Sequence, residues 1–150
     1  MRFLSRTPVR SFVVYPAVSL LWELAAHGHL FQANLWFAPM MLWGYLQYRL
    51  CGRYRVRIGG GGPGLETPPE RLVSTGPYAL TRNPMYLSHI IFLIGLTLTL
   101  KSWLAALITI GTSIWFHLRV VGDEQKLIQT LGQPYVNYLA SVKRWVPGLF

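Results

Sequence analysis

Two short segments of the sequence combine residue types that could hold a polar ligand beside an apolar region. The first, Gly76–Tyr86, contains turn residues, a cation and two tyrosines, and it opens an apolar run. The second is the acidic pair Asp123–Glu124, which stands just beyond the apolar run that follows. Two antiparallel helices joined by a short turn would bring both segments to one face of a membrane. A polar cofactor could there be held against a lipid-soluble partner.

The acidic pair runs against the basic charge of the segments around it. Adjacent carboxylates could hold a pair of ribose hydroxyls, an ammonium group or a sulfonium. The alternative is structural, because acidic residues also stabilise the first turn of a helix. Arg119 lies one helical turn before Asp123, so a salt bridge within one helix is the plain interpretation of that arginine. An arginine within an apolar helix is costly, however, and it usually pairs, reaches the interface or serves function.

The dipeptide Asn83-Pro84 predicts the start of a helix, since asparagine is a favoured N-cap and proline is tolerated at the first helical position. The free backbone N–H groups at such a start suit a carboxylate, and Arg82 adds positive charge beside them. Tyr86 and His89 are spaced to share one face of this helix. The structural alternative is a capped helix with aromatic side chains at the membrane interface.

The elements that carry these segments are predicted to be membrane helices. The chain has 150 residues, of which 52% are hydrophobic and 13% charged, well below the ~25% charged residues of soluble domains. No period-two alternation runs through the apolar stretches, and a helix satisfies its own backbone in lipid. We therefore expect an all-α, polytopic fold with about four transmembrane helices in two antiparallel hairpins. The apolar segments lie at about 11–31, 34–50, 85–100 and 103–121.

Behind the fourth apolar segment, the sequence predicts short C-terminal amphipathic helices against the membrane surface. Apolar residues recur at helical spacing over Leu127–Leu131 and again over Tyr135–Val142. The break Gly132–Pro134 stands between these two stretches. We therefore expect two separate amphipathic helices.

The charge distribution predicts the orientation of the chain. The formal net charge is +9, from 14 Lys and Arg against 5 Asp and Glu residues. All of the basic residues except Lys101 lie outside the short turns within the two hairpins. This is the positive-inside pattern, so we expect an integral, multi-pass protein of a bacterial-type inner membrane with both termini in the cytoplasm. Nucleic-acid binding is not expected, because no basic stripe lies on a soluble face.

The length of the chain predicts a single domain, residues 1–150. Residues 1–51 would form the N-terminal helical hairpin, residues 52–75 a cytoplasmic loop rich in Gly and Pro, and residues 76–150 the second hairpin and the C-terminal helices. Four consecutive glycines, Gly59–Gly62, stand in the loop region. They lack the Gly-Lys-Ser/Thr sequence of a phosphate-binding loop, so a flexible connector is favoured.

The remaining titratable residues of the apolar segments do not predict a metal site. Glu23 lies deep in the first segment, where a carboxylate is a functional candidate by default. His27 and His29 follow it, but no second cluster completes a set of metal ligands with them. His117 stands alone in the fourth segment and is expected to be a hydrogen-bond partner of a helix rather than a ligand.

The order and separation of the motifs resemble the membrane methyltransferase superfamily that includes isoprenylcysteine carboxyl methyltransferases and phospholipid N-methyltransferases. The resemblance covers about residues 70–147. The sequence departs from the family pattern at two positions, because Asn83 stands where the family has His and Asp123 where it has the first Glu of a pair. The matching residues are Gly76-Pro77-Tyr78, Arg82-Asn83-Pro84-Met85-Tyr86, Asp123-Glu124, Leu127, Leu131-Gly132, Tyr135, Tyr138 and Pro147.

The resemblance implies S-adenosylmethionine as methyl donor and a lipophilic or lipid-linked acceptor, either an isoprenylcysteine-like carboxylate or a phospholipid-like amine. Arg119 and Glu124 would be catalytic. Arg119 would orient an acceptor carboxylate, and Glu124 would take the proton from an acceptor amine. Asn83 cannot titrate, so position 83 has no acid or base role. The expected cofactor-binding residues, with His89 added from the shared helix face, are Glu70, Leu72, Val73, Gly76, Tyr78, Arg82, Asn83, Pro84, Met85, Tyr86, His89, Asp123 and Glu124.

Two other functions are open to a chain of this composition. The first is an NADPH-dependent reductase of the membrane sterol-reductase type, whose C-terminal hairpin is similar. The acidic pair disfavours it, because a 2′-phosphate prefers arginine. The second is a non-catalytic helical bundle that binds lipid or a partner protein. Such a bundle does not require Tyr78, Asn83, Tyr86 and the acidic pair together.

Overall fold

The computed structural model describes residues 6–28, 32–62, 67 and 69–145, so His29 and Pro147 lie outside the described residues. Within these ranges the chain forms helices and connecting loops and no β-strand, which confirms the all-α prediction. The helices are α1 (Thr7–His27), α2 (Ala38–Gly59), α3 (Pro77–Leu80), α4 (Pro84–Leu100), α5 (Trp103–Leu131) and α6 (Gln133–Ser141), and a 3₁₀ turn, Leu35–Phe37, precedes α2.

Two of these helices, α1 and α5, are long and apolar enough to cross a membrane. α4 is also apolar but has 17 residues. At 1.5 Å per residue it is about 26 Å long, which is shorter than a ~30 Å hydrocarbon core. Two of the expected spans are thus candidate membrane helices, and the spans expected at residues 34–50 and 85–100 stay predictions.

The second helix continues beyond its apolar part. The hydrophobic pattern predicts an end near Leu50, whereas α2 extends to Gly59. Residues 52–59 are therefore helical and do not belong to the loop predicted for residues 52–75. Arginine is a good helix former, so a helix that leaves an apolar environment can continue through basic turns.

The fifth helix also extends further than the hydrophobic pattern predicts. α5 has 29 residues and runs without interruption through Asp123 and Glu124 to Leu131. The prediction of a separate amphipathic helix at Leu127–Leu131 is therefore wrong. The prediction of a separate helix after Gly132 is confirmed by α6, and its place against the membrane surface stays a prediction. The acidic pair consequently lies inside a long helix and not at the N-terminus of a new one.

The chain divides into two compact units, of which the first contains the described residues up to Leu46 together with Ser88–Ile114. Its apolar core comes from α4 and the start of α5, and Phe12 of α1 packs edge-on against it. The ring centroids of Phe12 and Phe92 are 4.8 Å apart. The buried core residues are Phe92, Leu93, Leu96, Leu100 and Ala105.

Within this first unit, α2 and α4 approach so closely that glycine is required at the contact. A Cβ atom on Gly44 would lie 2.7 Å from the backbone nitrogen of Phe92. A Cβ atom on Gly95 would lie 2.9 Å from the backbone nitrogen of Met41. Small residues of this kind let helix backbones pack directly against each other.

The second unit contains Gln47–Leu87 and the described residues from Trp115 onward. Gly76 precedes α3 with a φ of +59°, and a Cβ atom there would lie 2.8 Å from Cζ of Tyr54. Both the left-handed backbone and the aromatic neighbour therefore favour glycine at this position. The buried hydrophobic residues of this unit are Cys51, Val73, Tyr78, Phe116, Val120, Tyr135, Tyr138 and Trp145.

Candidate functional site

The second unit holds a cluster of polar side chains at the start of α4 and in the last turns of α5. We call it the polar cluster; its members are Arg82, Asn83, Tyr86, Arg119, Asp123, Glu124 and Arg144. α4 begins at Pro84, as the sequence predicts, and the Asn83 carbonyl accepts a hydrogen bond from the Leu87 N–H at 3.0 Å. The segments Gly76–Tyr86 and Asp123–Glu124 therefore meet in one place.

Asp123 connects the two segments directly. Its side chain is buried, and the Tyr86 hydroxyl donates a hydrogen bond to Oδ2 at 3.0 Å. Arg119 Nε lies 3.7 Å from the same oxygen, so the salt bridge within α5 is present. The Arg119 guanidinium also stacks over the ring of Trp115, 5.2 Å from its centroid. The Tyr86 and Arg119 contacts with Asp123 are both made to Oδ2.

Glu124 lies between two arginines. Arg144 donates two hydrogen bonds to it, from Nε to Oε1 at 3.2 Å and from Nη2 to Oε2 at 2.7 Å. Arg82 Nε lies 3.4 Å from Oε1. The carboxylate is buried and its charge is compensated by these groups. Its hydrogen bonds to Arg144 would have to break before the carboxylate could take a proton from the amine of a methyl acceptor.

Arg144 belongs to the polar cluster, although it was not among the predicted site residues. Its backbone carbonyl accepts hydrogen bonds from Thr81 Oγ1 at 2.9 Å and from Asn83 Nδ2 at 3.3 Å. The Arg82 N–H donates to the carbonyl of Lys143 at 3.0 Å. No local pattern marks Arg144, because its partners are 20 to 63 residues away in sequence.

Buried tyrosines stand beside the polar cluster. The Tyr138 hydroxyl donates to the carbonyl of Tyr78 at 2.6 Å. Burial, and then the negative charge of Glu124, raise the pKa of Tyr135 to about 12. Burial likewise raises the pKa of Tyr138 above its ordinary value. Both phenols are therefore neutral at physiological pH.

Tyr78 presents an unsatisfied polar atom. Its side chain is 7% exposed, and its hydroxyl has no hydrogen-bond partner among the described residues. A buried hydroxyl without a partner is costly, and such groups frequently await a ligand or water. The Tyr78 hydroxyl can therefore offer a donor and an acceptor to a bound molecule.

The other residues expected to bind a cofactor lie in different surroundings. The Glu70 N–H donates to the carbonyl of Gly59 at 2.8 Å, so Glu70 lies against the end of α2. Val73 is buried there too, and a Cβ atom on Gly59 would lie 2.6 Å from its Cγ2. Leu72 between them is half-buried, as is Met85 after the buried Pro84.

His89 is placed by the structure in the first unit. It is buried, and its ring stacks on that of Phe12 with the centroids 4.6 Å apart. Sharing a helix face with Tyr86 therefore does not place His89 in the polar cluster. Also in the first unit, buried Glu23 pairs with His27 Nδ1 at 2.9 Å. In the second unit, His117 Nδ1 accepts a hydrogen bond from Trp145 Nε1 at 3.2 Å, and this donor lies after α6 rather than in a helix.

Comparison with known families gives a match to one described as phospholipid methyltransferase, over residues 61–131. The match overlaps the segment on which the motif resemblance rests, and it confirms that resemblance. No curated protein matches the chain. The matched segment includes Gly76–Tyr86 and Asp123–Glu124 and ends with α5.

Proposed function

Because residues 61–131 match phospholipid methyltransferases, we propose that this protein is a membrane methyltransferase that uses S-adenosylmethionine and acts on a lipophilic or lipid-linked acceptor. One observation carries the proposal. The two segments that resemble the family's cofactor motifs meet in the hydrogen bond between Tyr86 and buried Asp123. The unsatisfied Tyr78 hydroxyl and Asp123 Oδ1 supply groups that a polar cofactor could use.

The bound cofactor would supply a methyl group on a sulfonium, whose in-line displacement depends on positioning and on exclusion of water. Tyr78 would hold a cofactor hydroxyl, and Asp123 Oδ1 would hold a second hydroxyl or the ammonium group. Tyr86 and Arg119 would fix the Asp123 carboxylate in its orientation. The side chain of Arg119 is 38% exposed, so it could also reach an acceptor carboxylate.

The role of Glu124 follows from its partners. If Glu124 acted as a base, the incoming proton would compete with the guanidinium groups of Arg144 and Arg82 for its carboxylate. We therefore propose that Glu124 is chiefly a positioning residue, which holds Arg82 and Arg144 in place beside Asn83. Proton transfer from an amine acceptor would require the Arg144 pair to open first.

The length of α5 agrees with a site at a membrane surface. Asp123 is twenty residues after Trp103, about 30 Å along the helix at 1.5 Å per residue. This distance equals the thickness of a bilayer's hydrocarbon core, ~30 Å. If Trp103 lies at one interface, the acidic pair lies at the other. The positive-inside rule predicts that this face is cytoplasmic, where S-adenosylmethionine would be dissolved.

The proposal is tested by calorimetric titration of S-adenosylmethionine and its demethylated product into the detergent-solubilised protein. We expect binding that Tyr78→Phe weakens by about threefold to tenfold, the worth of one hydrogen bond. Asp123→Asn should weaken it further, because a negative charge is lost. Tyr45→Phe is the matched control, since it removes a hydroxyl in the first unit and keeps the ring that contacts Phe12.

Absence of S-adenosylmethionine binding in a monodisperse, folded sample would contradict the proposal. Tighter binding of NADPH would favour the reductase. Failure to bind any nucleotide cofactor would favour the non-catalytic bundle. Equal affinities of the Tyr78→Phe variant and the unmodified protein would remove Tyr78 from the site without excluding the activity.

A further inference from the structure

The basic end of α2 borders a cavity that the polar cluster does not use. Three arginines, Arg49, Arg53 and Arg57, follow one another at intervals of four residues on one face of the helix. The cavity has a volume of about 420 Å³, within the ~300–1,000 Å³ of small-molecule sites. It is lined by Tyr48, Arg49, Gly52, Arg53, Val56, Arg57 and Met85.

The positive charge at this cavity is not compensated within the described part of the chain. Arg82, Arg119 and Arg144 each lie within salt-bridge distance of Asp123 or Glu124. No described acidic side chain pairs with the three arginines of the cavity. Like charges four residues apart on a helix repel each other and destabilise it. A bound anion would remove this repulsion.

The lining selects the kind of anion. Guanidinium groups bind phosphate with paired hydrogen bonds, which an ammonium group cannot do. Tyr48, Val56 and Met85 add apolar surface beside the arginines, which suits the glycerol and first acyl carbons of a lipid. Basic pockets at the cytoplasmic ends of membrane helices bind phosphate head groups in this way.

We propose that this cavity binds a phosphate group that carries net negative charge and no neighbouring ammonium, as in an anionic phospholipid or free phosphate. A zwitterionic head group would bring its own cation among three guanidinium groups and be repelled. The cavity is therefore an accessory anion site and not the place where an amine acceptor is methylated. Met85 is the one residue it shares with the expected cofactor-binding set.

The experiment measures binding of three probes to the full-length protein in micelles of a non-ionic detergent. The probes are short-chain phosphatidylglycerol, short-chain phosphatidylcholine and inorganic phosphate. We expect saturable binding of the phosphatidylglycerol that Arg53→Gln weakens at least about fivefold, since a charge-assisted pair contributes ~1–3 kcal/mol. The affinity of the Arg53→Lys variant should lie between those of the unmodified protein and the Arg53→Gln variant, because lysine keeps the positive charge but cannot make paired hydrogen bonds.

Lys126→Gln is the matched control. It removes one positive charge from an exposed position of α5 that does not line the cavity. Equal loss of binding in this control and in Arg53→Gln would show general charge attraction and overturn the proposal. Phosphatidylcholine binding as tight as phosphatidylglycerol binding would also overturn it.

Two further comparisons identify the source of the phosphate and test whether this site is independent of the cofactor site. Inorganic phosphate that binds as tightly as the lipid, with the same dependence on Arg53, would support the site and identify its ligand as free phosphate. Tighter binding of the lipid would assign the site to an anionic lipid. Displacement of the lipid by S-adenosylmethionine would show that the cavity is part of the cofactor site, which would overturn an accessory role.

Discussion

Glu124 and Arg144 form an ion pair with two parallel hydrogen bonds, 3.2 and 2.7 Å long, although 20 residues separate them. The pair joins α5 to the segment after α6. Arg82 approaches the same carboxylate from the start of α4. Three parts of the second unit are therefore connected through one buried side chain.

Replacement of Arg144 by Gln is expected to destabilise the protein. The variant loses charge-assisted hydrogen bonds to a buried carboxylate, and we expect a cost of about 1.5–3 kcal/mol. The cost should stay below the ~3–5 kcal/mol of a fully broken buried pair, because Arg82 still compensates Glu124. The apparent Tm in detergent measures it. Lys143→Gln, an exposed neighbour, is the control, and an equal Tm for the two variants would contradict the assigned role.

Replacement of Gly44 by Ala tests the close approach of α2 and α4. The added methyl group would meet backbone atoms of Phe92 and Ser88 at 2.7–2.8 Å, and the two helices must separate to admit it. We expect a loss of about 1–3 kcal/mol, as for overpacked cores. Gly111→Ala is the matched control, because nothing lies within 4 Å of a Cβ atom there. The Gly111→Ala substitution should be neutral or slightly stabilising, since Ala has a higher helix propensity than Gly.

Ionisation of the buried tyrosines should lower stability at high pH. The folded protein holds the protons of Tyr135 and Tyr138 more tightly than an unfolded chain, in which the pKa is about 10. The stabilisation that comes from holding these two protons is fully present below about pH 10, and it is lost as the pH rises through the pKa values of the two tyrosines in the folded protein. The apparent Tm, followed between about pH 8 and pH 11, should fall in the upper part of this range.

Two Tyr→Phe variants separate ionisation from hydrogen bonding. Both should show a smaller fall in Tm at high pH than the unmodified protein. At neutral pH, Tyr138→Phe should be less stable by about 0.5–1.5 kcal/mol, because the Tyr78 carbonyl loses its donor. Tyr135→Phe should keep the original Tm at neutral pH. An unchanged alkaline profile in both variants would assign the loss of stability to other groups.

Sequence reasoning located the features that depend on local chemistry. The start of α4 after Asn83 follows from capping and proline preferences, and the meeting of Tyr86 with Asp123 follows from a short hairpin. The ends of helices were predicted less well. The acidic pair resembled a helix start, but Gly122 and the residues after it continue α5 because good helix formers follow.

Contacts between distant segments left no sequence signal. Arg144 has the same local appearance as any basic residue near a membrane surface, and only the folded chain brings it to Glu124. Arg144 was missed, whereas His89 was predicted to bind the cofactor on a pattern that proved misleading. Its helical spacing from Tyr86 is correct, yet it packs on Phe12 in the core of the first unit. Periodicity assigns a residue to a helix face but does not determine which neighbour that face meets.

The hydrogen bonds between segments 81–83 and 139–144 span 57 to 63 residues. On the ribosome, at ~5–20 residues per second, the first segment therefore waits roughly 3–12 s for its partners. During that interval Thr81, Arg82 and Asn83 must be solvated or shielded by the insertion machinery. Contacts of such long sequence separation also form late in folding. Assembly of the polar cluster is thus expected to be a late step in the maturation of the second unit.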